Sequence, residues 1–281
     1  MTVAAGGHAP FGFGGRLRIF RRLFLMVAAL LVCLPLHLIA HPFTRHSPFP
    51  RLFLRSLAWI AGARVEVVGT PLQRQVFFLA NHVSWLDIPA LAGASGTAFV
   101  AKAEIAQAPL IGWLCRLNHT VFVQREARRD VAAQVNALRD ALAENHAVTI
   151  FPEGTTTDGR SLLPFKTAML KVLEPPPGAV MVQPVLLDYG AQSEFIGWVG
   201  AESGVSNAKK ILARRGSFVL RVHFLEAFSP VQYPDRKAIA AAAREQIEAA
   251  LRETGGGELR PFGHNVAAVR YAAPARDHAE S

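Results

Sequence analysis

Cysteine is nearly absent from this chain: Cys33 and Cys115 are the only two in 281 residues. Both stand in apolar surroundings, so neither a disulfide framework nor a zinc site is suggested, and the simple expectation is a reduced, cytosol-facing protein. A cleavage site of small residues is lacking as well. After a basic, apolar start, Leu38-Ile39-Ala40-His41-Pro42 makes a poor signal-peptidase site, so the segment is expected to be retained. No Gly-x-Ser-x-Gly elbow surrounds any serine, and no internal repeat is visible. Acidic residues are in deficit, 21 Asp and Glu against 30 Lys and Arg. The resulting formal charge of +9 fits nucleic acid, an anionic membrane surface or an anionic substrate equally well.

The one long uncharged run separates these partners. Arg16, Arg18, Arg21 and Arg22 stand just before residues 23–40, which are 18 residues without formal charge. This is the layout of a membrane-associated segment, and it turns the expectation away from nucleic acid. The run barely reaches the ~18 to 20 residues needed to cross a bilayer, and Pro35 and His37 interrupt its second half. A second amphipathic stretch at residues 51–63, RLFLRSLAWIAGA, follows at once. Three readings stay open: a transmembrane span, a helical hairpin half-inserted in one leaflet, and a buried helix of a soluble fold. Four arginines ahead of a true span would hold the N-terminus in the cytoplasm and put the rest of the chain outside.

The remaining chain is long enough, with 51% hydrophobic residues, to bury one full-sized core. Residues 1–15 are Gly-rich and expected to be flexible, residues 16–63 form the membrane-associated helical segment, residues 64–254 form the main domain, and residues 255–281 form a weakly ordered tail. Apolar runs at residues 65–68, 76–80, 97–101, 121–123, 148–151, 180–187 and 218–225 predict seven strands. Residues 128–144 place Val131, Val135, Leu138 and Leu142 at helical spacing, and residues 236–252 do likewise. Strands alternating with helices predict a three-layer α/β domain with a central mixed sheet.

Functional residues of such a domain sit at strand ends, where loops open onto a cleft. Three stretches fall there. Asn81-His82-Val83-Ser84-Trp85-Leu86-Asp87 follows one strand. Imidazole titrates nearest neutrality, so His82 can take a proton from a hydroxyl and return it, provided an acceptor fixes its tautomer. Asp87 lies five positions on, about 140° away around an ideal helix, so the two meet only if the chain turns before a helix that starts near Pro89. The plain alternative is a capped loop histidine. Phe151-Pro152-Glu153-Gly154-Thr155 ends a second strand and reads either as a site loop or as a simple turn. Gln124-Arg125 ends a third, where Arg125 either grips an anionic head group or is solvated beside Arg128 and Arg129.

Taken in order, N-H-x-S-x-x-D, F-x-x-R some forty residues later, F-P-E-G-T, and the apolar strand Val182-Gln183-Pro184-Val185 resemble the four blocks of the glycerolipid acyltransferase family. That family includes bacterial 1-acylglycerol-3-phosphate acyltransferases. The resemblance covers residues 60–190, and Lys102-Ala103-Glu104 and Pro164-Phe165-Lys166 are similar to its intervening segments. It implies transfer of an acyl group from a thioester of acyl carrier protein or coenzyme A to a lysolipid hydroxyl. His82 would be the general base and Asp87 its orienter, while Arg125, Glu153, Gly154, Thr155 and Lys166 would hold the acceptor. No metal or bound cofactor is implied, since the thioester is already activated and its oxyanion needs only positioned donors, such as amides near Gly154. An inner-membrane protein with its catalytic domain facing the cytoplasmic donor follows, and the half-inserted hairpin satisfies it.

Two positions depart from the pattern. His119 stands where phosphatidate-forming members commonly have Gly, and Thr156 stands where many have Arg. Thr156-Thr157-Asp158-Gly159 looks similar to relatives that acylate lyso-ornithine lipid, an acceptor without phosphate. Lysophosphatidic acid is the first expectation, with Lys166 or Arg160 compensating for the lost Arg, and lyso-ornithine lipid is the alternative. A lipid esterase and a non-catalytic membrane-binding module are the rivals from other classes.

Overall fold

Each of the seven apolar runs is a strand. The computed structural model describes residues 11–44, 47–107, 109–123, 131–143, 147–255 and 259. Two helices come first, α1 (Phe13–Ala40) and α2 (Phe49–Ala61). The domain follows as β1 (Ala63–Val68), β2 (Val76–Ala80), α3 (Asp87–Ser95), β3 (Ala98–Lys102), α4 (Ala103–Ala106), α5 (Pro109–Leu117), β4 (Val121–Val123), α6 (Val131–Ala143) and β5 (Ala147–Ile150). It closes with β6 (Met181–Asp188), α7 (Ser193–Ile196), α8 (Gly204–Ala213), β7 (Phe218–Phe224) and α9 (Arg236–Gly255).

The strands form one sheet in the order β1-β7-β6-β2-β5-β3-β4. From β6 to β4 the strands are parallel, whereas β7 runs antiparallel to β6 and carries β1 parallel to itself. The sheet is therefore mixed, as expected. Central β2 shows why its sequence is an unbroken apolar run: Phe78 and Ala80 enter the core under α2, α3 and α8, while Phe77 and Leu79 enter the core under α6 and α9. A strand covered on both faces has no polar face to alternate with.

β6 carries Pro184 in mid-sheet, where a missing N–H would leave a carbonyl on β7 without its donor. Leu225 N–H donates to Pro184 O, and the reciprocal bond to Leu225 O comes from the Gln183 side chain, Nε2 at 3.0 Å. The Gln-Pro pair thus closes its own gap in the ladder.

α1 and α2 pack as an antiparallel pair onto the domain. The α2–α3 contact is close enough that a Cβ on Gly93 would lie 2.8 Å from the Arg55 Cα. Two arginines of the basic cluster turn toward protein: Arg22 donates to the carbonyls of Ile211, Leu212 and Gly216, and Arg18 to that of Ala213. These lie at or just beyond the C-terminal end of α8, where unpaired carbonyls and the helix dipole favour a cation. On the opposite face of α1, Phe13, Leu17, Phe20, Phe24, Val27 and Leu31 form a solvent-exposed stripe at helical spacing. By length and composition α1 is apolar enough to cross a membrane.

Candidate active site

The loops after β6, β2 and β5, three adjacent strands, converge at one end of the sheet. Leaving β2, Asn81 bridges to β6, its Nδ2 donating to Leu187 O and its Oδ1 accepting from Leu187 N–H. This fixes where the chain turns. The turn carries His82 back to Asp87, the first residue of α3, so the pair meets as the loop geometry requires: His82 Nδ1 lies 2.7 Å from Asp87 Oδ2.

Asp87 is fully buried and fully engaged. Its Oδ2 also accepts the backbone N–H groups of Val83 at 2.6 Å and Ser84 at 2.9 Å, and its Oδ1 accepts the Tyr189 hydroxyl at 2.6 Å. A carboxyl group that accepts four donors is held immobile. It therefore accepts the Nδ1–H of a neutral His82 and leaves Nε2 as the nitrogen that can take a proton. The imidazole is stacked on Phe151 at 4.1 Å, which is itself stacked on Phe99, and the His82 side chain keeps 19% of its surface exposed.

Glu153 of the second stretch is turned inward. Its Oε1 accepts the His82 backbone N–H and its Oε2 that of Leu163, each at 2.8 Å. Burial pushes this carboxyl up to about 8; the two amide bonds pull it down in part, and Asp87 adds repulsion. Gly154 turns the loop at φ 72°, its N–H returning to Phe151 O at 3.1 Å, and a Cβ there would lie 2.6 Å from Lys166 Nζ. Lys166 thus overhangs Gly154, and Thr155 is exposed beside it. The Thr156 hydroxyl is bonded to the Trp198 carbonyl, and Thr157 N–H to that of His82. Arg160 comes within 3.9 Å of Glu194 at the surface. Arg125 and Gln124 lie outside the described residues.

His119 adopts φ 54°, so the backbone keeps the left-handed turn for which glycine is the easier residue. Ser84 is buried, with Oγ directed at Asn207, which removes it as a nucleophile. Tyr189 was missed by sequence reasoning, although its place immediately after β6 is the kind of strand end that marked the other stretches. Phe151 was read only as part of a loop motif.

Beside His82 lies an apolar cavity of about 350 Å³, lined by Leu30, Leu34, Phe53, Trp85, Phe99 and Leu114 among others. Both free cysteines line it too. Phe99 in its lining is stacked on Phe151, which is stacked on His82, and Trp85 in its lining belongs to the loop that carries His82. Among the described residues no three His, Cys, Asp or Glu side chains cluster to hold a metal ion. The arrangement can deprotonate a hydroxyl next to an apolar chain.

The family model described as Acyltransferase matches residues 64–188, which span all three stretches. A lyso-ornithine lipid O-acyltransferase of Rhodobacter capsulatus is 33% identical over 257 residues, covering 86% of this chain and 93% of that protein. A 1-acyl-sn-glycerol-3-phosphate acyltransferase of Neisseria meningitidis is 30% identical over 190 residues, 66% of this chain and 74% of that protein. The crystal structure of the 1-acyl-sn-glycerophosphate acyltransferase PlsC from Thermotoga maritima shares the fold at a TM-score of 0.60 and 20% identity, covering 84% of this chain and 97% of that one.

Proposed function

The chain belongs to the acyltransferase family, and on that premise we propose that it moves a fatty acyl group from an acyl thioester to the hydroxyl of lyso-ornithine lipid. The observation that carries the chemistry is the 2.7 Å bond from His82 to a saturated, buried Asp87. His82 Nε2 takes the acceptor's hydroxyl proton as its oxygen attacks the thioester carbonyl. The tetrahedral intermediate then expels the thiolate, which leaves as thiol with the proton from His82. Asp87 stabilises the imidazolium between the two transfers. Glu153 and Tyr189 position the pair from behind, one through the His82 backbone and one through the Asp87 carboxylate. The apolar cavity receives an acyl chain, and the donor is carried by acyl carrier protein or coenzyme A.

Two features favour lyso-ornithine lipid over the first expectation, lysophosphatidic acid. Position 156 carries a threonine whose hydroxyl is committed to the Trp198 carbonyl, so no cation serves a phosphate there. The relative named for lyso-ornithine lipid also aligns over more of the chain than the one named for glycerol phosphate. Lysophosphatidic acid is the second reading because Lys166 overhangs Gly154 and Arg160 stands nearby in sequence. Purified enzyme given one thioester and both acceptors decides: faster turnover of lyso-ornithine lipid is expected, and Thr156→Arg should shift turnover toward the phosphate. Preference for lysophosphatidic acid overturns the acceptor, and free fatty acid released without any acceptor overturns the transferase.

α1 touches the domain at both ends, through Arg18 and Arg22 near its start and through the cavity wall at Leu30 to His37 near its end. A helix so held lies along the domain and presents its apolar stripe sideways, which suits insertion into one leaflet rather than a crossing. The domain then stays on the cytoplasmic side with its donor. Protease digestion of sealed inner-membrane vesicles tests this: cleavage of the domain is expected from the cytoplasmic face only.

A further inference from the structure

A second cavity, of about 320 Å³, opens between the first half of α1 and the junction of α2 with β1, and it shares no lining residue with the apolar one. Arg18, Arg21, Arg22 and Arg64 line it, and no acidic residue does. Gly62 and Gly216 supply a floor without side chains: a Cβ on Gly62 would lie 3.0 Å from Arg22 Nη2 and 3.2 Å from Gly216 O. The bonds that pin Arg18 and Arg22 end on neutral carbonyls, so they fix these side chains and leave their charge in place. Arg64 is likewise held, with Nη1 on Trp59 O at 3.3 Å and its guanidinium over the indole at 4.9 Å from the ring centre. Such a pocket is built for an anion that accepts several N–H bonds at once.

Its surroundings say which anion. Trp59 is 59% exposed at the rim, and the Leu17, Phe20 and Phe24 stripe stands exposed on the same helix as three of the arginines. Exposed tryptophan beside an apolar face and a basic cluster is the pattern of a membrane interface. We propose that this cavity binds the phosphodiester headgroup of an anionic membrane lipid, at a site separate from the acceptor and the donor. An acidic carrier protein is less well matched, because the arginines are flanked by exposed apolar side chains that a folded protein would have to cover.

The proposal rests on the membrane association inferred above, and vesicle flotation of the full-length protein separates the two. Binding to neutral phosphatidylcholine vesicles tests the apolar stripe alone. Adding phosphatidylglycerol should strengthen binding, and the double variant Arg21→Gln, Arg64→Gln should lose about tenfold of that gain while keeping the binding to neutral vesicles. Arg215→Gln, an exposed arginine outside the cavity, should behave as wild type. The proposal is overturned if the gain survives in the double variant, if Arg215→Gln loses as much, or if the double variant loses only affinity for an acyl-carrier-protein donor in neutral detergent.

Discussion

Tyr189 donates its hydroxyl to one oxygen of Asp87 at 2.6 Å while the other oxygen receives His82 Nδ1–H at 2.7 Å. Tyrosine and histidine therefore compete for the same negative charge. Burial and the neighbouring carboxylate push the Tyr189 hydroxyl well above its ordinary range, so it remains a donor throughout the working pH. Tyr189→Phe should leave Asp87 one donor short and less firmly oriented toward His82, so kcat should fall about tenfold with KM little changed. An unchanged kcat would mean that the hydroxyl only fills space.

His82→Ala should lower kcat by about 10² to 10⁴, the contribution of a general base, and shift Tm by only a few degrees, because the ring is partly exposed and loses one stacking partner. Asp87→Asn should be as inactive and less stable. An amide cannot accept four donors, so at least one buried N–H or O–H loses its partner at about 1 to 3 kcal/mol. Kinetics and thermal melts on both variants check the contrast.

Glu153 gives a pH signature. Its carboxyl stands at about 8 in the folded chain against 4.5 as its ordinary value. Between those values the folded protein holds a proton that the unfolded chain has released, so stability falls as pH rises through this window, by up to about 1.4 kcal/mol per unit. Glu153→Gln should flatten the slope. Denaturant unfolding of both proteins from about pH 5 to about pH 8 measures the difference, and parallel curves would refute the buried, proton-holding carboxyl.

Filling the apolar cavity should shorten the acyl chain that is used. Ala101→Phe projects a ring from β3 into its lining and should slow transfer from a long-chain thioester about tenfold or more. Short-chain donors should react almost as before. Equal slowing across chain lengths would show that the chain lies elsewhere.

The strands and the His82–Asp87 pair were legible for the same reason: both are local. A run such as Val76 to Ala80 is apolar because both faces are covered, and a strand-end loop rich in His, Ser and Asp has no packing explanation. Directions within the sheet were less legible, because pairing of β7 against β6 depends on partners far apart in the chain. Tyr189 was harder to find for a related reason: its strand-end position was a signal, but its partner Asp87 lies 102 positions away in the chain. The family resemblance implies that Glu153 helps to hold the acceptor. Here it points inward because two buried amides require an acceptor. The arginines before the apolar run mark a membrane-associated segment in the sequence, and the bonds of Arg18 and Arg22 to carbonyls of the domain are contacts that hydropathy does not register.

Those carbonyls have a consequence for how the molecule tolerates sequence drift. Arg22 docks α1 through the main chain of Ile211, Leu212 and Gly216, and every amino acid offers the same carbonyl. The joint therefore asks nothing of the side chains at 211, 212 and 216, and Ile211 and Leu212 are constrained instead by the core they fill. No such redundancy protects position 22, where even lysine would lose the planar fork that reaches three oxygens. The joint is undemanding on one side and exacting on the other, where Arg22 and Arg18 carry it.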